Sequence, residues 1–220
     1  MKYNIIIPFR NRNEHLQEFI RRFTSYLEGK DIDVQFFVMN QMNPGLFNRG
    51  AMLNCGFIEA CRTRPDGLFV FHDVDIYPTE WGSISYDTPP GHIRHPIAME
   101  GNLGLICCFW KPEFERVNGF PAYHGWGIED CTILHRAIRC AIPIDRKNQV
   151  QPHQKDRCIL HDHARPATQS ETCRINTELH HREMETGVAE NGLTRMTHQR
   201  YGQVELAPRF TMYHVEFQDV

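Results

Sequence analysis

The sequence predicts an α/β protein with a mixed, mostly parallel sheet flanked by helices. Two observations predict it. Residues 1 to 75 alternate short apolar runs with longer stretches of helical periodicity, in the order β-α-β-α-β, and each apolar run ends in a cluster of polar residues. Such alternation builds parallel strands joined by right-handed crossovers, and open sheets of this kind take ligands outside the carboxyl ends of their strands.

The elements follow in order. Tyr3 to Pro8 is an apolar strand that proline ends. From Asn13 the spacing of Leu16, Phe19, Ile20, Phe23 and Leu27 predicts an amphipathic helix, with Glu14, Glu18, Arg21 and Arg22 on the opposite face. Val34 to Met39 is the second strand, Phe47 to Cys61 the second helix and Leu68 to His72 the third strand. Residues 79 to 95 carry Gly82, Pro89, Pro90 and Gly91 with little periodicity, and read as a long loop, mobile or functional. Gly101 to Trp110 resumes an apolar segment, Pro112 to Val117 reads as a short helix closed by Asn118-Gly119, and Cys131 to Cys140 is helical.

Composition narrows the class. At 220 residues and 41% hydrophobic content the chain can fill a sizeable core, and its formal net charge of −3 gives no basic field for nucleic acid. No apolar stretch approaches the roughly 20 residues of a membrane span. The eight cysteines contain no Cys-x-x-Cys pair, which favours free thiols over a zinc ribbon. With no signal peptide in evidence, a reducing, cytoplasmic setting is the expectation.

Three clusters carry chemistry. The third strand runs into Asp73-Val74-Asp75. Burying ionised aspartate costs several kcal/mol unless a cation or donors compensate, which points to a divalent metal at the sheet edge. In a strand the two side chains would share a face. A capped turn closed by Pro78 is the other account. After the first strand, Arg10 and Arg12 flank an asparagine beside Phe9, which suits a phosphate-bearing ligand as well as a solvated helix entry.

The second cluster is Tyr123-His124-Gly125-Trp126-Gly127-Ile128-Glu129-Asp130. Glu129 and Asp130 fall in the first turn of a helix, where the macrodipole alone would favour them, yet a neighbouring tryptophan suits the stacking of a sugar ring whose hydroxyls the acids hold. The third cluster is His161-Asp162-His163, preceded by Cys158. Histidines two apart in extended chain face the same way, as metal ligands do, although thirteen histidines make a chance pair plausible.

Taken in order, Pro8-Phe9-Arg10-Asn11-Arg12, Phe47-Asn48-Arg49-Gly50, Asp73-Val74-Asp75, Val117-Asn118-Gly119-Phe120-Pro121, Gly125-Trp126-Gly127-Ile128-Glu129-Asp130 and His161-Asp162-His163 resemble the β-1,4-galactosyltransferase family, glycosyltransferase family 7. The resemblance runs from Tyr3 to about His163 and is weak beyond. It implies a single GT-A catalytic domain over residues 1–220, with a nucleotide-binding half to about 78 and an acceptor and catalytic half from about 79.

The resemblance further implies a manganese ion, a UDP-sugar donor, normally UDP-galactose, and a saccharide or glycoconjugate acceptor. Pro8, Phe9, Arg10 and Arg12 would line the uridine and diphosphate pocket, closed by Phe47 and Arg49, with Asp73 near the ribose and diphosphate and Trp126 beside the sugars. Asp75, His161 and His163 would ligate manganese; Cys158 imitates an alternative Met-and-His form two residues out of register. Asp130 would be the general base of an inverting displacement, and Glu129 would hold sugar hydroxyls.

Two departures from the family pattern stand out. Cys131 occupies the place of a third acid that grips the acceptor in many members. Asn102 occupies that of a donor-selective aromatic, so that UDP-N-acetylgalactosamine becomes a second candidate donor. A dinuclear metal phosphohydrolase using His72, Asp73, Asp75, His161, Asp162 and His163, and a non-catalytic nucleotide-sugar binder, are the competing functions. The absence of an anchor suggests a cytoplasmic enzyme of surface-polysaccharide assembly.

Overall fold

The computed structural model describes residues 1–161, 169–189 and 191–219. Strand β1 (Lys2–Phe9), helix α1 (Asn13–Leu27), β2 (Asp33–Gln41), α2 (Arg49–Thr63) and β3 (Leu68–His72) form the expected unit, with β1 parallel to both β2 and β3. The chain continues through β4 (Ile76–Pro78), β5 (Ile93–Arg94), β6 (Ile106–Phe109), α3 (Lys111–Arg116), α4 (Glu129–Arg139), β7 (Ile144–Asp145) and β8 (Cys158–Leu160). It closes with α5 (Gln169–Thr186), a short 3-10 turn, and the hairpin β9 (Met196–Ala207) and β10 (Phe210–Asp219).

Among the described residues the main sheet runs β7-β5-β6-β3-β1-β2-β10-β9, and a separate pair joins β4 to β8. The central four strands are parallel; β6 pairs antiparallel with β3 and β5, and β9 pairs antiparallel with β10. The mixed, mostly parallel sheet is as the sequence predicts.

Alternation along β1 divides the core. Ile5 and Ile7 face α1, where Leu16, Phe19, Phe23 and Leu27 pack with Phe36, Val38 and Phe210. Ile6 faces α2 with Phe37, Met39 and Phe71. Phe36 stacks on Phe210 at 3.9 Å between ring centres, so the last strand is locked to the first helix layer. Each fully buried ring contributes about 1.5–3 kcal/mol by leaving water.

Helix α2 starts at Arg49, two residues later than its periodicity suggests. Asn48 is the reason: its Oδ1 accepts from Ala51 N at 2.9 Å, the geometry of an N-cap. Gly50 follows in a place where no side chain fits, because a β-carbon there would lie 2.0 Å from the Pro121 carbonyl oxygen. The missing side chain lets α2 touch the Phe120-Pro121 segment. Residues 79 to 95 are a packed loop that includes β5, with Ile84, Tyr86 and Thr88 buried and Trp110 Nε1 donating to the Thr88 carbonyl at 3.0 Å.

The last fifty residues carry the elements with the weakest sequence signal. Helix α5 is polar over most of its length and β9 is largely exposed, so neither shows clear periodicity. What fixes α5 is a buried ion pair. Arg136 of α4 donates through Nε and Nη2 to both carboxylate oxygens of Glu183, at 2.6 and 2.8 Å, and its remaining nitrogen–hydrogens reach the Asn118, Gly119 and Asn191 carbonyls.

Removing one member of such a pair leaves a buried charge alone. Glu183→Ala is expected to lower unfolding stability by about 3–5 kcal/mol in guanidinium titration; a loss no larger than that of an exposed pair would contradict this account.

Candidate active site

The carboxyl ends of β1, β2 and β3 meet the first turns of α2 and α4. Gln41, at the end of β2, organises the approach: its Oε1 accepts from Asn48 N at 2.8 Å and its Nε2 donates to the Leu46 carbonyl at 3.0 Å. These bonds hold residues 42 to 48 as a turn that delivers Phe47 and Arg49. Arg10 packs over the Phe47 ring at 5.6 Å and donates to the Gly45 carbonyl at 2.9 Å. Pro8 and Phe9 are buried, and Phe9 belongs to the α1-side core.

Asp73 and Asp75 do not share a face. The strand ends at His72 and the chain turns through Val74, so the two carboxylates take different partners on different sides. Asp73 Oδ1 accepts from Arg49 Nε at 2.7 Å, whereas Asp75 Oδ2 accepts from Arg12 Nη1 at 3.1 Å. Strand geometry would have aligned them; the turn separates their jobs.

Arg49 also reaches Glu129 Oε1 with Nη1, at 3.5 Å, and lies over the Phe120 ring at 5.7 Å. One guanidinium thus joins the end of β3 to the start of α4. Burial alone would lower its pKa, but Asp73 and Glu129 outweigh that and raise it. Burial and the neighbouring Asp130 charge push the Glu129 carboxyl up to about 7, against the pull of Arg49. Glu129 therefore holds its proton more tightly than an exposed carboxyl does.

Asp130 is presented by an unusual helix start. Gly125, Gly127 and Ile128 all have left-handed φ, with Ile128 at 78°, and the chain swings directly into α4. Asp130 Oδ1 accepts from Cys131 N at 2.9 Å. Its Oδ2 lies against Gly104, where a β-carbon would approach to 2.6 Å. Asn102 flanks the same glycine, its Oδ1 accepting from Gly104 N at 2.8 Å.

The tryptophan turn is tied down from two sides. Gly125 N donates to the Phe47 carbonyl at 2.8 Å, joining it to the α2 entry. From α5, Thr172 Oγ1 accepts from Trp126 N at 3.2 Å and Asn176 Nδ2 donates to the Gly127 carbonyl at 3.0 Å. Sequence reading missed Thr172 and Asn176, because the helix that carries them is polar over most of its length and only the fold shows that these two are buried. Trp126 is 37% exposed and walls an open groove of about 710 Å³ with α5 residues including Cys173, Arg174 and Thr177.

The candidate metal ligands come together in part. Strand β8 pairs antiparallel with β4, Ile76 opposite Leu160, and His161 N donates to the Asp75 carbonyl at 2.8 Å. Asp75, whose carboxylate is only 8% exposed, and His161 are thus joined through their backbones. Carboxylate oxygen suits manganese and the imidazole suits first-row ions generally, so these two donors fit a divalent cation. His163 and Asp162 lie outside the described residues; within them, no three His, Cys, Asp or Glu side chains gather to hold a metal. His72 turns inward instead, bonded to the Asp73 carbonyl and the Tyr86 hydroxyl, and burial pushes its pKa down to about 4.

The architecture is the GT-A fold of nucleotide-diphospho-sugar transferases. The mutant catalytic domain of Drosophila β-1,4-galactosyltransferase 7, crystallised with manganese, UDP-Gal and xylobiose, superposes with a TM-score of 0.82 at 21% identity, covering 99% of this chain and 94% of that one. Residues 1–86 match the N-terminal region of glycosyl transferase group 7 and residues 91–163 match the N-terminal domain of galactosyltransferase.

Mouse β-1,4-galactosyltransferase 1 is 35% identical over 173 residues, covering 74% of this chain and 42% of that protein. A Lymnaea stagnalis β-N-acetyl-D-glucosaminide β-1,4-N-acetylglucosaminyl-transferase is 28% identical over 187 residues, covering 73% and 38%. The chain belongs to glycosyltransferase family 7. It spans about two fifths of the length of these relatives. Among the described residues no helix is long and apolar enough to cross a membrane.

The raised Glu129 pKa carries a pH signature. The folded state holds that proton more tightly than the unfolded chain, so its stabilisation is complete below the unfolded carboxylate value and is lost as pH rises toward about 7. Glu129→Gln should remove the slope: its melting temperature relative to wild type is expected to climb between about pH 5 and about pH 8, and a constant difference would refute the assignment.

Proposed function

We propose that the chain is an inverting, manganese-dependent glycosyltransferase that moves galactose from UDP-galactose to a hydroxyl of a saccharide acceptor. The observation that carries this reading is the Arg49 bridge, which brings the Asp73–Asp75 turn of the nucleotide side against the Glu129–Asp130 turn of the acceptor side. Family membership and the galactosyltransferase names of the relatives at 35% identity support it.

In this reading Arg10, Arg12 and Arg49 face the donor diphosphate, and Phe47 packs beside the nucleotide. Asp75, His161 and His163 would hold manganese. When bound, the ion supplies Lewis-acid neutralisation of the diphosphate leaving group. Asp130 accepts the proton of the acceptor hydroxyl as its oxygen bonds to the anomeric carbon from the face opposite the diphosphate. The bond between that carbon and the phosphate oxygen breaks, and its electron pair leaves with UDP. Glu129 holds a sugar hydroxyl, while Trp126 stacks on a ring.

The acceptor's own chemistry follows from the groove beside Trp126. Cys131 supplies no carboxylate beside Glu129 and Asp130, and the groove itself is lined by Arg174 and Glu178 of α5. The relatives include an enzyme named for N-acetylglucosaminyl transfer, so the family alone does not set the donor sugar. Nothing in their names supports UDP-N-acetylgalactosamine, and galactose is the donor proposed. The phosphohydrolase alternative loses one of its ligands, because His72 is buried in the core with both ring nitrogens engaged by the Asp73 carbonyl and the Tyr86 hydroxyl.

Assays of UDP release with UDP-galactose, manganese and a panel of saccharide acceptors test the proposal. Asp75→Ala is expected to abolish manganese-dependent transfer. Asp130→Asn should bind UDP normally and lose about 10²–10⁴-fold in kcat. Full turnover by Asp130→Asn would remove it as the base, faster transfer from UDP-N-acetylgalactosamine would reverse the donor choice, and phosphate release from simple esters would replace the transferase reading.

A further inference from the structure

Tyr77 is fully buried, and its hydroxyl meets two side chains, the His161 imidazole and the Arg22 guanidinium. It is 0% exposed, and its Oη makes a hydrogen bond with His161 Nε2. Buried hydroxyls need partners, and this one takes an imidazole beside a guanidinium.

The tyrosine is firmly held. Its backbone pairs with Ile159 in the ladder that brings His161 beside Asp75. The Arg22 guanidinium of α1 covers its ring at 5.0 Å, and Phe19 meets it edge-on at 6.3 Å. Glu18 in turn anchors Arg22 at 2.7 Å. The His15 ring approaches His161 from the same helix at 5.7 Å. Helix α1 thus braces the tyrosine, and the tyrosine braces the histidine.

We propose that Tyr77 is a positioning residue for the metal site: it accepts a hydrogen bond from Nε2–H of His161, fixes the imidazole tautomer and ring plane, and leaves Nδ1 as the nitrogen presented to the cation. Ligating histidines generally give their second ring nitrogen to an oxygen acceptor, which sets both orientation and basicity. The inference rests on the reading of Asp75 and His161 as ligands. It adds a residue that touches neither cation nor donor, together with the choice of nitrogen.

The test uses the full chain and manganese alone. Free Mn²⁺ is followed by its electron paramagnetic resonance signal during titration of wild type, Tyr77→Phe, His161→Ala and the double variant. Tyr77→Phe keeps the ring and removes only the hydroxyl; it is expected to weaken manganese binding about 10- to 100-fold. In the His161→Ala background the same change should add nothing, since the hydroxyl acts only through that imidazole. With Co²⁺ in place of manganese, the visible bands of Tyr77→Phe should shift, a signature that a purely structural role would leave alone.

Wild-type manganese affinity in Tyr77→Phe overturns the proposal while the ligand assignment stands, provided His161→Ala is weakened. Equal weakening by Tyr77→Phe with and without His161 also overturns it. Unchanged affinity in His161→Ala removes the ligand assignment and the role of Tyr77 with it.

Discussion

The arrangement depends on one buried cation. Arg49, at the first position of α2, pairs with Asp73 from the end of β3 and with Glu129 from the start of α4. Without it, acidic groups from two separate parts of the chain would meet at low dielectric, where like charges repel strongly and each carries a desolvation penalty of several kcal/mol. With it, the nucleotide side and the acceptor side are joined at the carboxyl edge of the sheet. Everything that positions Arg49 follows from this: the Asn48 cap, the Gln41-ordered turn before it, and the contact with Pro121 that Gly50 permits.

The same constraint makes neighbouring acids unequal. Asp73 is neutralised by Arg49 on the α2 side and Asp75 faces Arg12 and β8 on the other, although a single valine separates them. Glu129 and Asp130 are adjacent too, yet the burial that raises Glu129 leaves Asp130 turned toward Gly104.

The β-α-β-α-β unit was legible because its strands are apolar on both faces and α1 repeats Leu16, Phe19, Phe23 and Leu27 on one side. The glycines and acids around Trp126 were legible as a turn for the same local reason. Two things were not. The separation of Asp73 from Asp75 depends on where β3 stops: Asp73 N still bonds the Leu105 carbonyl across the sheet, and the chain turns at Val74 and Asp75. The buttressing of Trp126 by Thr172 and Asn176 comes from a helix whose surface is mostly polar, so its buried stripe left no periodic mark.

The sequence by itself determined the strand and helix order, the residue types at each sheet end and, through the order of its motifs, the family. Those are local properties: side-chain periodicity, capping and turn chemistry act over a few residues. Only the tertiary structure decided which charges meet. Arg49 with Glu129, Asp75 with Arg12 and Arg136 with Glu183 are long-range pairs whose formation requires the sheet and its helices to be packed first. The carboxylates at the end of the third strand therefore acquire distinct roles only after folding, because burial and the nearest cation, rather than sequence position, set the character of each.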